Sequence, residues 1–171
     1  EGERDVPTFS VKVVPVTTIG IRALIVSDGY RQAQTESTVR DMVKTASDIY
    51  AQIGMRFALE SIMVTNLPAA FVITETNVLE HVWSHDRLTN LLPHGDGIEC
   101  YFVSDICDEQ MMSIGCRGLT SSSGVVITGS ATMITLSHEI GHLCGACDIY
   151  DQGAGFATDA DMISFGNVLI I

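Results

Sequence analysis

The chain has 171 residues, 46% of them hydrophobic and 18% charged. That length fits one domain, and that apolar content is enough to bury a core, which excludes wholesale disorder. Nine basic against 21 acidic residues leave a net charge of −12, which argues against a nucleic-acid binder and against docking on an anionic membrane, since both need clustered positive charge.

The chain opens Glu1-Gly2-Glu3-Arg4, with no initiator Met and no apolar signal segment, and reads as a processed chain. No apolar run is long enough for a transmembrane helix. Residues 9–18 are β-branched and partly alternating, a strand pattern in which Pro15 implies an edge or a bulge. A second apolar run, Ile21 to Val26, ends at the turn signal Ser27-Asp28-Gly29. Over 37–53, Val39, Met42, Val43, Ala46, Ile49 and Tyr50 recur at three- and four-residue spacing, which predicts an amphipathic helix closed by Gly54. Residues 55–65 predict the next strand, interrupted at Asn66-Leu67-Pro68.

A second helix is predicted over 77–92, then a turn at 94–97 and a buried strand over 98–106. Residues 117–123 are small and polar, and 124–128 form a short strand. A further helix is expected over about 131–144, with Ser130 as its N-cap. From Gly145 on, glycine, alanine and aspartate predict loop. The order predicts a single α/β (α+β) domain over 1–171: a mixed twisted sheet, a backing helix and a late helix.

That late helix carries the chemistry. His138 and His142 are four residues apart, so a helix sets both imidazoles on one face within reach of one ion. Glu139 stands beside the first and can act as a base toward a water activated by zinc without ligating the metal. At this composition His-Glu-x-x-His arises by chance roughly 0.008 times per chain, so the pattern is specific. A catalytic zinc takes a third protein ligand. Glu139 and His142 are the last Glu and the last His, leaving Asp148, Asp151, Asp159, Asp161, Cys144 and Cys147 downstream. Gly145 favours Asp148: a glycine there can take φ > 0, end the helix and swing the chain back under the metal.

HEIGHLCGACD over 138–148 resembles the metzincin zinc signature, and its aspartate ending is similar to the snapalysin-type secreted bacterial metallopeptidases. The resemblance is strong over about 130–166. It implies a zinc endopeptidase with His138, His142 and Asp148 as ligands and Glu139 as general base and then acid. It also implies a Met-turn at about 160–166, with Met162, 14 residues past Asp148, as an apolar floor below the metal. An extended protein or peptide substrate would add as a strand somewhere in 115–127, beside a pocket walled by Ile163, Ser164 and Phe165. Only 167–171 follow the Met-turn, so the usual C-terminal helix is expected to be short or missing. A secreted monomer is expected. The competing reading is an inactive zinc-bearing binding module on the same scaffold; the presence of Glu139 weighs against it.

Weaker patterns have simpler explanations. His81 and His85 are also four apart but lack an adjacent Glu, so a solvated helix face explains them better than a second metal. Asp151, Asp159 and Asp161 offer hard oxygen ligands of the kind Ca²⁺ takes, though a solvated acidic loop suffices. The five cysteines, Cys100, Cys107, Cys116, Cys144 and Cys147, admit two disulfides; a 107–116 bridge and a local 144–147 bridge are both compatible with the spacing.

Overall fold

The computed structural model describes residues 15–74, 91–92, 95–121 and 124–146. The first strand, β1 (Thr17–Ser27), absorbs the end of one predicted strand and the whole of the next. Pro15 lies before it and interrupts no ladder. The helix α1 (Glu36–Tyr50) follows, its start capped by Thr35, whose side chain accepts from the Thr38 N–H. A single 3-10 turn then runs to Gly54, which closes it at φ +80. Next come β2 (Met55–Asn66), β3 (Val72–Thr74), β4 (Ile98–Val103), β5 (Asp105–Cys107), β6 (Gly118–Ser121) and β7 (Gly124–Thr128). The helix α2 (Thr135–Leu143) is the last described element.

Five strands form one mixed sheet in the order β2-β1-β4-β7-β6. β1, β2, β4 and β7 are mutually parallel, and β6 closes the edge antiparallel to β7. The mixed α/β architecture expected from the sequence is the one observed. Two further boundaries within the sheets differ from expectation. The predicted strand over 98–106 splits at Ser104, whose N–H is taken by Phe71 O at 2.7 Å, and β5 pairs instead with β3 in a separate two-stranded sheet. The small polar stretch 117–123 contains β6, because an antiparallel partner supplies hydrogen bonds that propensity alone does not reveal.

The central strands are buried on both faces, which is why they read as near-continuous apolar runs. Ile21, Ala23 and Ile25 of β1 pack with Cys100, Phe102, Val125 and Ile127 under α1 and α2. Leu24 and Val26 turn to the other face, with Tyr101, Val103, Val126 and Phe71. On that second face Arg22 Nη2 donates to Glu99 Oε1 at 3.2 Å and to Gly95 O at 2.9 Å, while the Tyr101 hydroxyl donates to Glu99 Oε2 at 2.5 Å. The long β1–β2 ladder slips between Ile21 and Arg22, leaving Glu60 bulged on β2. Gly20 fits beneath that side chain: an added Cβ would fall 2.1 Å from Glu60 Oε1.

No disulfide forms among the described cysteines, so the 107–116 bridge is corrected. The Cys107 thiol is buried on β5, while Cys116 Sγ is turned to Gly118 O at 2.7 Å. No helix among the described residues is long and apolar enough to cross a membrane.

Burial raises the Cys100 thiol from an ordinary 9.0 to about 12. It likewise lifts the Tyr50 phenol from 10.0 to about 12, with the nearby Cys144 adding to the effect. Both groups stay protonated in the fold at pH values where the unfolded chain ionises. Their contribution to stability is therefore complete below about pH 9 and is lost as pH rises toward 12. The urea midpoint should fall across that window, and Cys100→Ala should flatten the fall.

Candidate metal centre

α2 is nine residues long and presents three different faces. Leu136 and Ile140, one turn apart, are fully buried in the core beneath α1. Burying two such side chains contributes about 1.5–3 kcal/mol each. On the side toward α1, the Tyr50 hydroxyl donates to Ser137 O at 3.0 Å. Gly141 lets that ring approach: an added Cβ would lie 3.3 Å from the Tyr50 oxygen. His138 and His142 each stand two residues beyond a core-facing residue, and so on the opposite side, with His138 exposed and His142 half-buried.

The start of α2 differs from expectation. Ser130 does not cap it; its hydroxyl pairs with Thr128 Oγ1 at 3.0 Å. The helix begins later, after a turn in which Ala131 N–H donates to Thr128 O and Thr132 N–H donates to Thr135 Oγ1. The end matches expectation closely. Gly145 sits at φ +88. Its N–H donates to His142 O at 2.9 Å, and Ala146 N–H donates to Gly141 O at 2.9 Å. Those two bonds make a Schellman motif, which stops the helix and reverses the chain.

This reversal also fixes an imidazole. His142 Nδ1 lies 2.8 Å from Ala146 O. A carbonyl oxygen only accepts, so Nδ1 carries the proton and the His142 lone pair is at Nε2. That atom is 3.1 Å from His138 Nε2, with the two rings edge to face at 86°. Two nitrogens on one tetrahedral ion, each about 2.0–2.1 Å from it, stand roughly 3.3 Å apart. The separation of the two nitrogens therefore matches that of two ligands on one ion. A nitrogen from each ring and a carboxylate oxygen of Glu139 all lie within 4.8 Å of one another, a group able to hold a metal ion.

Glu139 differs from the histidines in being buried, at 5% exposure. Its Oε2 accepts from the Thr120 hydroxyl on β6 at 2.7 Å. Gly118, two residues earlier on the same face of β6, leaves the space its side chain occupies: an added Cβ would lie 2.7 Å from Oε1. Gly118, Thr120 and Tyr50 are functional neighbours that sequence reasoning missed. Only the small-residue bias of 117–123 hinted that something packs closely there.

The structure thus brings together His138, Glu139 and His142 as the spacing predicted. Asp148, Met162 and the pocket residues Ile163, Ser164 and Phe165 lie outside the described residues, as do Cys147, Asp151, Asp159, Asp161, His81 and His85. The chain matches no protein-family profile and no curated protein.

Gly145→Ala should destabilise the chain by about 1–3 kcal/mol, because a side chain is strained at that φ. It should weaken metal binding as well, through loss of the Ala146 carbonyl on His142; chemical denaturation and metal titration read the two effects. Ser137 is 3% exposed and its Oγ has no hydrogen-bond partner among the described residues. Ser137→Ala should therefore leave stability unchanged or raise it by about 1 kcal/mol.

Proposed function

We propose that this protein is a zinc-dependent endopeptidase that hydrolyses peptide bonds in protein substrates. The observation that carries the reading is the convergence of His138 and His142 Nε2 at 3.1 Å beside the buried Glu139 carboxylate. Two neutral imidazoles suit zinc among the divalent ions, and the His142 tautomer is already set for it. Asp148, three residues past Gly145, is the proposed third ligand, and Met162 the proposed floor. The Schellman reversal at Gly145 supports the former, since it turns the chain back at the point from which Asp148 must be delivered.

When bound, zinc supplies a water acidified toward neutrality and polarises the scissile carbonyl. His138 and His142 would hold the ion. Glu139 would serve as the base toward a water and then as the acid toward the leaving amine. A carboxylate does both tasks well only when its position is fixed and its surroundings are partly dry, as burial beside β6 provides. β6 itself is an edge strand of the main sheet packed against α2. An extended peptide added there would run past the histidines with its backbone paired, the mode expected for 115–127.

Cleavage of unfolded casein or gelatin tests the proposal. Wild type with zinc should cleave and chelator should abolish the activity. Glu139→Ala should lower kcat by at least about 100-fold with zinc still bound. Retained activity in that variant would overturn the mechanism. Asp148→Ala should cut zinc affinity at least about tenfold by metal analysis.

A further inference from the structure

We propose that Gly118 and Thr120 of the edge strand β6 form a two-point clamp that positions the Glu139 carboxylate, with Thr120 as a positioning residue for the base. The inference rests on the endopeptidase reading for its kinetic consequence, but the clamp itself is a property of the fold.

Gly118 and Thr120 are two apart on one strand and so face the same way, toward α2. Thr120 binds one oxygen of the carboxylate, and Gly118 leaves the space that the other occupies. The Thr120 hydroxyl is 2.7 Å from Oε2 and 2.9 Å from the Glu139 backbone oxygen. A hydroxyl has a single proton, and the shorter contact with an ionised acceptor is the stronger one. On the other side, Gly118 admits the side chain: any Cβ there would lie 2.7 Å from Oε1, 2.8 Å from Cγ and 2.9 Å from Cδ. One contact pulls on Oε2; the missing side chain makes room for Oε1 and its stem. The carboxylate plane is thereby held relative to the histidine face of α2.

The strand that holds the carboxylate is held in its turn. Gly118 pairs with Ile127 and Thr120 with Val125 on β7, both fully buried partners. At the entry to β6, Thr128 Oγ1 lies 3.0 Å from Cys116 O and 3.1 Å from Arg117 O, and Thr128 N–H donates to Arg117 O at 2.9 Å. Glu139 is therefore referenced to the sheet, not only to its own helix. A base set on one nine-residue helix would move with every tilt of that helix. Tied to β6 as well, it keeps its place relative to a substrate paired along the same strand.

Thr120→Val, which removes the hydroxyl at nearly constant shape, and Thr120→Ser, which keeps it, test the clamp in the full chain. With zinc loaded and its stoichiometry unchanged, the valine variant should lose about 10–100-fold in kcat with KM within about twofold. The serine variant should recover to within about threefold of wild type. A valine variant with wild-type kcat, or a serine variant no better than valine, overturns the positioning role.

An unfolding cycle with Thr120→Val and Glu139→Ala in metal-free protein supplies the second readout. Thr120→Val should shift the unfolding equilibrium by about tenfold when Glu139 is present and by little when it is absent. Additive effects would sink the clamp even in an active enzyme. Should wild type cleave no peptide at all, the endopeptidase reading fails, and the cycle alone still decides whether Thr120 holds Glu139.

Discussion

Everything in the site depends on docking a nine-residue helix on the sheet. A helix that short has no stability of its own in water, because nucleation costs more than so few hydrogen bonds return. Its order comes from tertiary contacts: Leu136 and Ile140 inserted into the core, and the Tyr50 hydroxyl bonded to the Ser137 carbonyl. With the inward face committed to packing, the outward face is free to carry His138 and His142. The same fact explains the small residues on the side toward α1. Gly141 gives up helix propensity so that the Tyr50 ring can reach the backbone.

Metal chemistry and protein architecture meet at the C-terminal end of α2. The Schellman motif satisfies the last carbonyls of the helix, and in doing so it brings the Ala146 carbonyl under His142 Nδ1. One backbone reversal thus ends the helix and sets an imidazole tautomer. A glycine is favoured there because the backbone turns through positive φ, where any side chain is strained even though the space around it is open.

Burial divides the roles of the three residues. The histidines lie toward solvent, where a metal ion can reach them, while Glu139 lies in the joint between helix and edge strand. A carboxylate in such a joint must be hydrogen-bonded, or its desolvation would outweigh the packing around it. Thr120 provides that bond. β6 is therefore more than the sheet margin among the described residues: it also holds the Glu139 carboxylate.

The sequence alone was sufficient for whatever depends on neighbours along the chain. His138, Glu139 and His142 at helical spacing, the apolar face of α1, and the helix stop at Gly145 are all local periodicities or local backbone requirements, and each was legible residue by residue. The sequence misplaced the start of α2, divided β1 in two, and read 98–106 as one strand. Distant pairing decides the two strand outcomes, as with Phe71 at Ser104, while the start of α2 is set by side-chain contacts such as Thr128 with Ser130 that propensity does not reveal. For β6, and for Gly118 and Thr120 against Glu139, the small residues of 117–123 were the sole hint, because a strand of small polar residues acquires its identity from pairing with β7. Spacing along one helix can place ligands on a face; only the packing of helix against sheet decides which carboxylate oxygen is held, by what, and how firmly.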